Sequence, residues 1–503
     1  MKNTFRVILF GLAIGLFYFA IRDFLPFDWT NYVSLALTMM VIIIGFIIFF
    51  ENRHPTQTLT WLVVLGAFPL LGFIFYLLFG RSYRKEKTFK QKYILDQKWV
   101  KKYFTSTTHE LLDLPSSKRH QNFYQLTQKL SQSPITFATE TKVLTDGKET
   151  FSTIIEELEK AQHHIHFQYY IVRNDELGNK IGDILKRKAE SGVQVRFMYD
   201  AVGSWSLSKK YLTRLKHSGV EVVAFNPVYL PFLNNKFNYR NHRKIIVIDG
   251  DTGFMGGLNV GDEYLGKNSD FGYWRDTHLL LKGEGVRNLQ LIFFQDWFYM
   301  TNESFLTPGY LQSNSKDSLA SQGGVQLIAG GPDSEWSTMK NLFFSMITSA
   351  KKSVWIASPY FIPDDDIFTA LKVAALSGID VKLLVPAKPD KRIVFHASRS
   401  YFPELMEAGG KVYEYERGFM HSKILMIDDD FASIGTANMD MRSFHLNFEV
   451  NAFLYETESI KTLRSDFQHD LSYSKELDLE LFNKRHVGYR VLESTSRLLS
   501  PLL

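Results

Sequence analysis

The string HRKIIVID at His242–Asp249 recurs, with small changes, as HSKILMID at His421–Asp428. In each copy a histidine and a lysine two positions apart precede four apolar residues and an aspartate. Alternate residues of a strand share a face, so each histidine points the same way as its lysine, and each aspartate points the other way. We therefore expect the aspartates to hold local structure rather than contact a substrate.

A glycine turn and an asparagine follow each string at the same distance, as GGLN at Gly256–Asn259 and GTAN at Gly435–Asn438. Glycine permits a tight turn, and the asparagine can then aim its amide into a cleft. A composite pattern that recurs in register indicates a functional site, whereas a single copy would be explained as the charged end of a buried strand.

The chain around these strings predicts an α/β fold that is built twice. Apolar runs such as His164–Val172 and Val354–Ile362 alternate with helical patterns, and continuous apolar strands of this kind are covered by helices on both faces. The same order of elements stands on either side of a polar, small-residue-rich linker, 312–324. We predict two similar lobes of mixed sheet flanked by helices, 133–311 and 325–503, facing a shared cleft.

The first 80 residues are predicted to anchor the chain in a membrane. Uncharged apolar stretches at Tyr32–Phe50 and Leu59–Gly80 are long enough to cross a bilayer, and the shorter Phe5–Ile21 leaves two or three spans open. The segment 81–132 is basic and aromatic at its start, which suits anionic headgroups and predicts that the lobes lie in the cytoplasm. A solvated basic helix with no lipid role is the alternative for this segment.

The amino-acid composition excludes several kinds of catalytic and binding site. The 503 residues contain no cysteine, which excludes disulfides, thiolate nucleophiles and thiolate metal sites. Lysine and arginine number 58 against 53 acidic residues, and a large share of the small excess lies beside the apolar N-terminal region. We therefore expect no binding of nucleic acid.

Two histidines and two lysines that converge from two lobes predict chemistry on a phosphoryl group. One of His242 and His421 could attack phosphorus while the other protonates the leaving oxygen. Four side chains would hold the phosphoryl oxygens and offset their charge in the transition state: Lys244, Lys423, Asn259 and Asn438. We expect no metal or cofactor, because a lysine ammonium beside each histidine would repel a divalent cation.

Each histidine also needs a partner that fixes its tautomer. Asp276 in YWRDTHLLL and Glu449 in FHLNFEVNAFL lie in strand-like runs downstream of the two motifs. Either could equally be an ordinary member of a salt bridge. The sequence does not say whether each acid would serve the histidine of its own lobe.

The duplicated H-x-K-x4-D motif with its G-x-x-N tail resembles the phospholipase D superfamily, and Arg53–Arg84 resembles the membrane-anchoring region of the bacterial cardiolipin synthases within it. The resemblance implies that two phosphatidylglycerol molecules give cardiolipin and glycerol through a phosphatidyl-histidine intermediate, without a metal. It implies His242 as nucleophile and His421 as general acid and base, although the pseudo-symmetry makes these roles reversible. It also counts Asp249 and Asp428 among the motif residues.

The same resemblance implies a multi-pass protein of the bacterial plasma membrane whose partners are phosphatidylglycerol and anionic lipids. We infer no obligate protein partner. A membrane-bound phospholipase D that gives the intermediate to water or to another acceptor would use the same residues, so only its products distinguish it. A scaffold on a degenerate fold would be expected to have lost a histidine or lysine, and both copies are complete.

Overall fold

The computed structural model describes residues 29–50, 55–68, 72–73, 76, 89, 91–96, 98–99, 102, 118–227, 238–311, 323–334 and 336–503. The apolar segment Phe5–Ile21, most of 81–117 and nearly all of the predicted linker lie outside these residues. Helices α1 (Trp29–Phe50) and α2 (Pro55–Ala67) fall in the predicted anchor, and Ile44, Ile48 and Leu65 form a small apolar cluster there. Among the described residues, no helix combines the length and apolar character required to cross a bilayer.

The remaining described residues form an α/β domain. Its strands are β1 (Ile135–Thr136), β2 (Thr139–Asp146), β3 (His164–Tyr169), β4 (Gln194–Asp200), β5 (Glu221–Phe225), β6 (Ile245–Ile248), β7 (Thr252–Gly256), β8 (Tyr273–Gly283), β9 (Gly324–Gly330), β10 (Ser353–Ala357), β11 (Phe361–Ile362), β12 (Asp380–Pro386), β13 (Lys411–Tyr415), β14 (Gly418–Met420), β15 (Ile424–Ile427), β16 (Phe431–Gly435), β17 (Met439–Asp440), β18 (Glu449–Tyr455) and β19 (Ser474–Glu476). Its helices are α3 (Lys118–Leu130), α4 (Gly147–Lys160), α5 (Glu176–Glu190), α6 (Lys209–His217), α7 (Gly285–Thr301), α8 (Thr338–Ser349), α9 (Asp365–Leu376), α10 (Arg392–Arg399), α11 (Phe402–Glu407), α12 (Met441–His445), α13 (Glu458–Leu471), α14 (Leu479–Asn483) and α15 (Val487–Arg497).

Two sheets repeat one topology. The first contains the order β8-β7-β6-β3-β4-β5 and the second the order β18-β16-β15-β10-β12-β13. In each, three parallel strands are followed by an antiparallel set that carries the motif. The predicted α/β class and its duplication are confirmed.

Three of the helices that cover the sheets begin directly after an aspartate. Asp146, Asp175 and Asp364 each accept a hydrogen bond from the backbone N–H three residues later, at 2.9, 3.0 and 3.1 Å. Such N-caps satisfy one of the free donors of a first helical turn. They fix where α4, α5 and α9 start and so direct these helices across the sheet.

The two lobes exchange strands. β14, which precedes the second motif, pairs in parallel with β8 of the first sheet, and β1 pairs with β9 of the second. One buried cluster contains apolar side chains from both sheets, including Leu279, Leu281, Ile434 and Val450. The lobes therefore share a core, and the two motifs lie where their sheets meet.

Candidate active site

The backbone of each motif histidine is bound to the other lobe. The N–H of His242 donates to the carbonyl of Phe448 at 2.9 Å, and that of His421 donates to the carbonyl of Arg275 at 2.7 Å. The strands themselves begin only at Ile245 and Ile424. The expectation that each whole string forms a strand is therefore wrong at its first three residues, of which the histidine is bonded to the other lobe.

The two predicted orienting acids are exchanged between the lobes. Glu449 of the second lobe places Oε2 2.9 Å from Nδ1 of His242, and Asp276 of the first lobe places Oδ2 2.6 Å from Nδ1 of His421. Both carboxylates are fully buried. A carboxylate at Nδ1 favours the tautomer with its proton there, which leaves Nε2 with a free lone pair.

Nδ1 of His421 has a second neighbour, the ammonium of Lys423 at 3.0 Å. A nitrogen that donates to Asp276 cannot also accept a proton from Lys423. We assign the proton to Nδ1, because Asp276 accepts only and Lys423 has another acceptor, the carbonyl of His421 at 2.5 Å.

Burial keeps both histidines neutral at pH 7. It lowers the pKa of His242 to about 4, with the neighbouring lysines acting in the same direction and Glu449 opposing them. It also lowers the pKa of His421 to about 4, with Lys423 adding to the effect and Asp276 opposing it. Each imidazole is thus unprotonated at Nε2, which a nucleophile at phosphorus requires.

The motif lysines are buried as well. Burial lowers the pKa of Lys423 to about 8, against the attraction of Asp276 and Glu449, and it lowers the pKa of Lys244 well below its usual value. Lys244 donates to the carbonyl of His242 at 2.6 Å, as Lys423 does to that of His421. The charge of Lys423 acts on both His242 and Lys244, so the two motifs share one electrostatic site.

The two motif asparagines differ in their surroundings. Oδ1 of Asn259 accepts from the N–H of Ile171 at 3.1 Å, and Nδ2 lies 3.4 Å from the hydroxyl of Tyr264. Oδ1 of Asn438 is buried without a hydrogen-bond partner among the described residues. Asn259 is thus engaged in loop structure, whereas Asn438 leaves an acceptor oxygen unpaired.

The motif aspartates lie at the far ends of the strands. Asp249 accepts from the N–H groups of Gln162, His163 and His164, each at 2.8 Å. Asp428 accepts from three successive N–H groups, 351–353, at 2.7 to 3.2 Å. Both have a positive φ, 53° and 52°. Each therefore holds the loop that precedes the first parallel strand of its lobe.

A buried network behind His242 was missed at the sequence level. Arg243 donates to Asp296 at 2.6 Å and to the carbonyl of Glu449 at 3.0 Å. Lys92, from the basic segment after the predicted anchor, places its ammonium 3.6 Å from Asp296 and 3.1 Å from Asp333. No pattern in the basic segment distinguishes Lys92 from its exposed neighbours, so the sequence offered no signal for it.

Aromatic rings also face the histidines. The ring of Tyr170 lies edge-on to His242 with centroids 4.9 Å apart, and that of Trp274 lies 5.2 Å from His421. The sequence analysis left both residues out of the site. Trp274 stands two residues before Asp276, and Tyr170 directly follows strand β3. These positions are the sequence signal that could have indicated the two residues.

One group in the described residues has spacing suitable for a metal ion. The ligand atoms of His120, Asp430 and Glu456 lie within 4.8 Å of one another. None of these three residues belongs to the repeated motif. This cluster is therefore distinct from the site of the motif histidines, whose polar neighbours are carboxylates and ammonium groups.

Two family models match parts of the chain. The family model described as "Cardiolipin synthase, PLD-like domain" matches residues 154–297 and 343–471, and the "Phospholipase_D-nuclease N-terminal" model matches 38–81. A crystal structure of phosphatidylserine synthase from Haemophilus influenzae has a TM-score of 0.58 at 14% identity, covering 77% of this chain and 100% of that one. At that identity the likeness concerns the fold alone.

Relatives with known names cover the whole chain. A cardiolipin synthase of Geobacillus sp. (strain WCH70) is 59% identical over 503 residues, with 100% of each chain covered. A cardiolipin synthase of Alkalihalophilus pseudofirmus is 60% identical over 504 residues, again with 100% of each chain covered. With its two matching domains and these full-length relatives, the chain belongs to the bacterial cardiolipin synthases of the phospholipase D superfamily.

Proposed function

We propose that the chain moves a phosphatidyl group from one phosphatidylglycerol to the glycerol hydroxyl of a second, giving cardiolipin and free glycerol. The observation that carries this proposal is the pair of motif histidines, each with Nδ1 held by a carboxylate of the other lobe. The arrangement provides two Nε2 atoms of opposite roles in one electrostatic site, which a double displacement needs.

In the first step Nε2 of His242 attacks phosphorus, and the bond from phosphorus to the glycerol oxygen breaks. His421 gives its Nε2 proton to that oxygen, so glycerol leaves as a neutral alcohol. For this His421 must be charged, and the entering phosphodiester anion promotes it by offsetting the ammonium of Lys423, which raises the pKa of the histidine. Lys244, Lys423 and Asn438 hold the phosphoryl oxygens.

In the second step the roles at His421 reverse. Its Nε2, now free of a proton, takes the proton of the glycerol hydroxyl on the second phosphatidylglycerol. The alcohol oxygen attacks phosphorus, the bond from phosphorus to His242 breaks, and cardiolipin leaves. Both histidines return to their starting states, so no external acid or base is consumed. Glu449 and Asp276 act as positioning residues throughout.

The lobes, 133–311 and 325–503, would carry out this reaction on the cytoplasmic face of the bacterial plasma membrane. We assign Tyr32–Phe50 and Leu59–Gly80 as membrane-spanning segments, on the basis of their uncharged apolar sequence. A cleft kept beside the bilayer is partly dehydrated and supplied with lipid alcohol, which favours transfer over hydrolysis.

An activated substrate separates the two histidine roles. Phosphatidylglycerol and a phosphatidyl aryl ester, whose leaving group departs without a proton, are compared in micelles containing EDTA for wild type, His242→Ala and His421→Ala. We expect wild type to give cardiolipin and glycerol. We expect His421→Ala to release a burst of the aryl alcohol and to retain lipid on His242, and His242→Ala to do neither.

The products decide between this function and its alternative. Phosphatidic acid in place of cardiolipin would identify a hydrolase. A burst from His242→Ala but not from His421→Ala would reverse the two roles, and full activity in both variants would exclude the histidine mechanism.

A further inference from the structure

Helix α15 presents its apolar side to solvent and its polar side to the protein. Val487, Val491 and Leu498 lie along one side of the helix and are 66%, 59% and 74% exposed. Glu493 and Ser496, on the other side, are buried. A surface helix normally buries its apolar stripe, so this inverted orientation indicates that another apolar phase covers α15 in the working protein.

Polar contacts hold the helix in this orientation. The carboxylate of Glu493 pairs with Arg485 at 2.5 Å and lies 3.6 Å from Arg399 of α10. Just beyond the helix, the hydroxyls of Tyr401 and Ser500 are 3.1 Å apart. Turning the helix to bury its apolar side would remove these partners from a buried carboxylate, which is costly.

Basic residues accompany the apolar surface on α15 and on α10, the helix that packs against it. Ile393 of α10 is exposed, as is Leu492 of α15. Exposed cations lie on these helices and on the segments that enter them: Lys388, Lys391, Arg392, Lys484 and Arg490. Apolar side chains beside lysine and arginine are typical of helices that lie in the interface of an anionic bilayer.

The other side of α10 faces a cavity that includes a residue whose charge acts on His421. Residues of α10 line a small cavity together with Tyr360 and Asp390, and the Tyr360 hydroxyl donates to the Asp390 carboxylate. Burial lowers the pKa of His421, and the charge of Asp390 is near enough to oppose this effect. A bilayer seated on α10 and α15 would therefore lie against a helix whose other side is close to a charged neighbour of His421.

We propose that the outward side of α15 and the start of α10 form a docking surface for an anionic bilayer, which seats the active site on the membrane that holds its substrate. This inference rests on the proposed function, because docking helps the enzyme only if its substrate is a membrane lipid. The binding itself does not require turnover. The surface and the predicted N-terminal anchor belong to different segments of the sequence. Tethering by that anchor would raise the local lipid concentration, so modest affinity would suffice.

The absence of cysteine makes the test direct. A single cysteine is introduced by Val491→Cys or, as a matched exposed control on α4, by Ser152→Cys, and is labelled with an environment-sensitive dye in the full chain. The protein is placed in nanodiscs of phosphatidylglycerol and phosphatidylcholine, with or without brominated acyl chains. We expect blue-shifted emission and about twofold quenching by bromine at position 491 only.

Activity gives a second measurement. The triple variant Val491→Ser, Leu492→Ser, Leu498→Ser should lower turnover of bilayer phosphatidylglycerol about tenfold, because apolar area is lost from the interface. It should leave turnover of a short-chain, monomeric phosphatidylglycerol unchanged.

Each other outcome is informative. A blue shift that bromine does not quench would mean that a second copy or the N-terminal helices cover α15, and would overturn the proposal. An equal loss of turnover on the bilayer and the monomeric substrate would indicate a folding defect in the triple variant. That result would also count against the docking proposal. Lipid quenching without any cardiolipin synthesis would support docking while rejecting the proposed function.

Discussion

The carboxylate of Glu449 lies 2.9 Å from Nδ1 of His242, although the two residues belong to different lobes. Glu449 is fully buried and its carbonyl accepts a hydrogen bond from Arg243, so the pair forms part of a hydrogen-bonded chain. Because the carboxylate of Glu449 can only accept a hydrogen bond, it keeps the proton of the His242 imidazole on Nδ1.

Glu449→Gln should lower kcat by about 10³-fold with little change in fold, since an amide can stabilise the wrong tautomer of the histidine. The measurement is cardiolipin formation, together with circular dichroism to establish folding. Asp276→Asn is the matched change at His421. With a phosphatidyl aryl ester, Asp276→Asn should recover most of its burst and Glu449→Gln should not. Equal recovery would mean that the histidines do not have distinct roles.

Activity should fall on the alkaline side as Lys423 loses its charge. Burial lowers the pKa of this ammonium to about 8, so it is charged below that pH and neutral above it. Because the charged form binds the phosphoryl oxygens, kcat/KM should decrease through about pH 8. Lys423→Arg should move this decrease to higher pH, since a guanidinium stays charged. An unchanged profile in that variant would assign the titration to another group.

Lys92 should contribute strongly to stability despite its place in a basic segment. Its ammonium lies among the carboxylates of Asp96, Asp296 and Asp333, and Lys92→Met would leave them buried without it. We expect the free energy of unfolding to fall by about 3 kcal/mol. Lys98→Met, at an exposed lysine of the same segment, is the control and should change little. Thermal unfolding of both variants measures this, and similar melting temperatures would refute the prediction.

Asp249→Ala should destabilise the protein without altering the chemistry. It removes the acceptor of three backbone N–H groups, and we expect a loss of about 2–3 kcal/mol. Asp249→Asn retains one acceptor oxygen and tolerates the positive φ, so its loss should be smaller. Turnover per folded molecule should match wild type for both. A large decrease in that value for Asp249→Asn would instead indicate direct participation in the reaction.

Much of this architecture was accessible from the sequence because it depends on local patterns. The apolar strands, their alternation with helices and the repeated motif follow from side-chain periodicity and glycine turns.

The remainder depends on contacts between distant segments. Nothing local to Glu449 or Asp276 reveals that each reaches the other lobe, because that follows from β14 pairing with β8 and from Phe448 pairing with the segment before β6. Likewise, Lys92 has the same local signature whether its ammonium meets lipid or three carboxylates. The inverted orientation of α15 follows from the salt bridges of Glu493, whose partners Arg399 and Arg485 lie on separate segments.

The strand exchange has a consequence for biosynthesis. A nascent chain that has emerged only as far as β8 contains His242 but neither Glu449 nor β14. His242, the nucleophile in our proposal, therefore stays without its proton-fixing partner until most of the second lobe has left the ribosome. Under the proposed mechanism, the chain cannot break a phosphodiester bond until its second lobe has been synthesised.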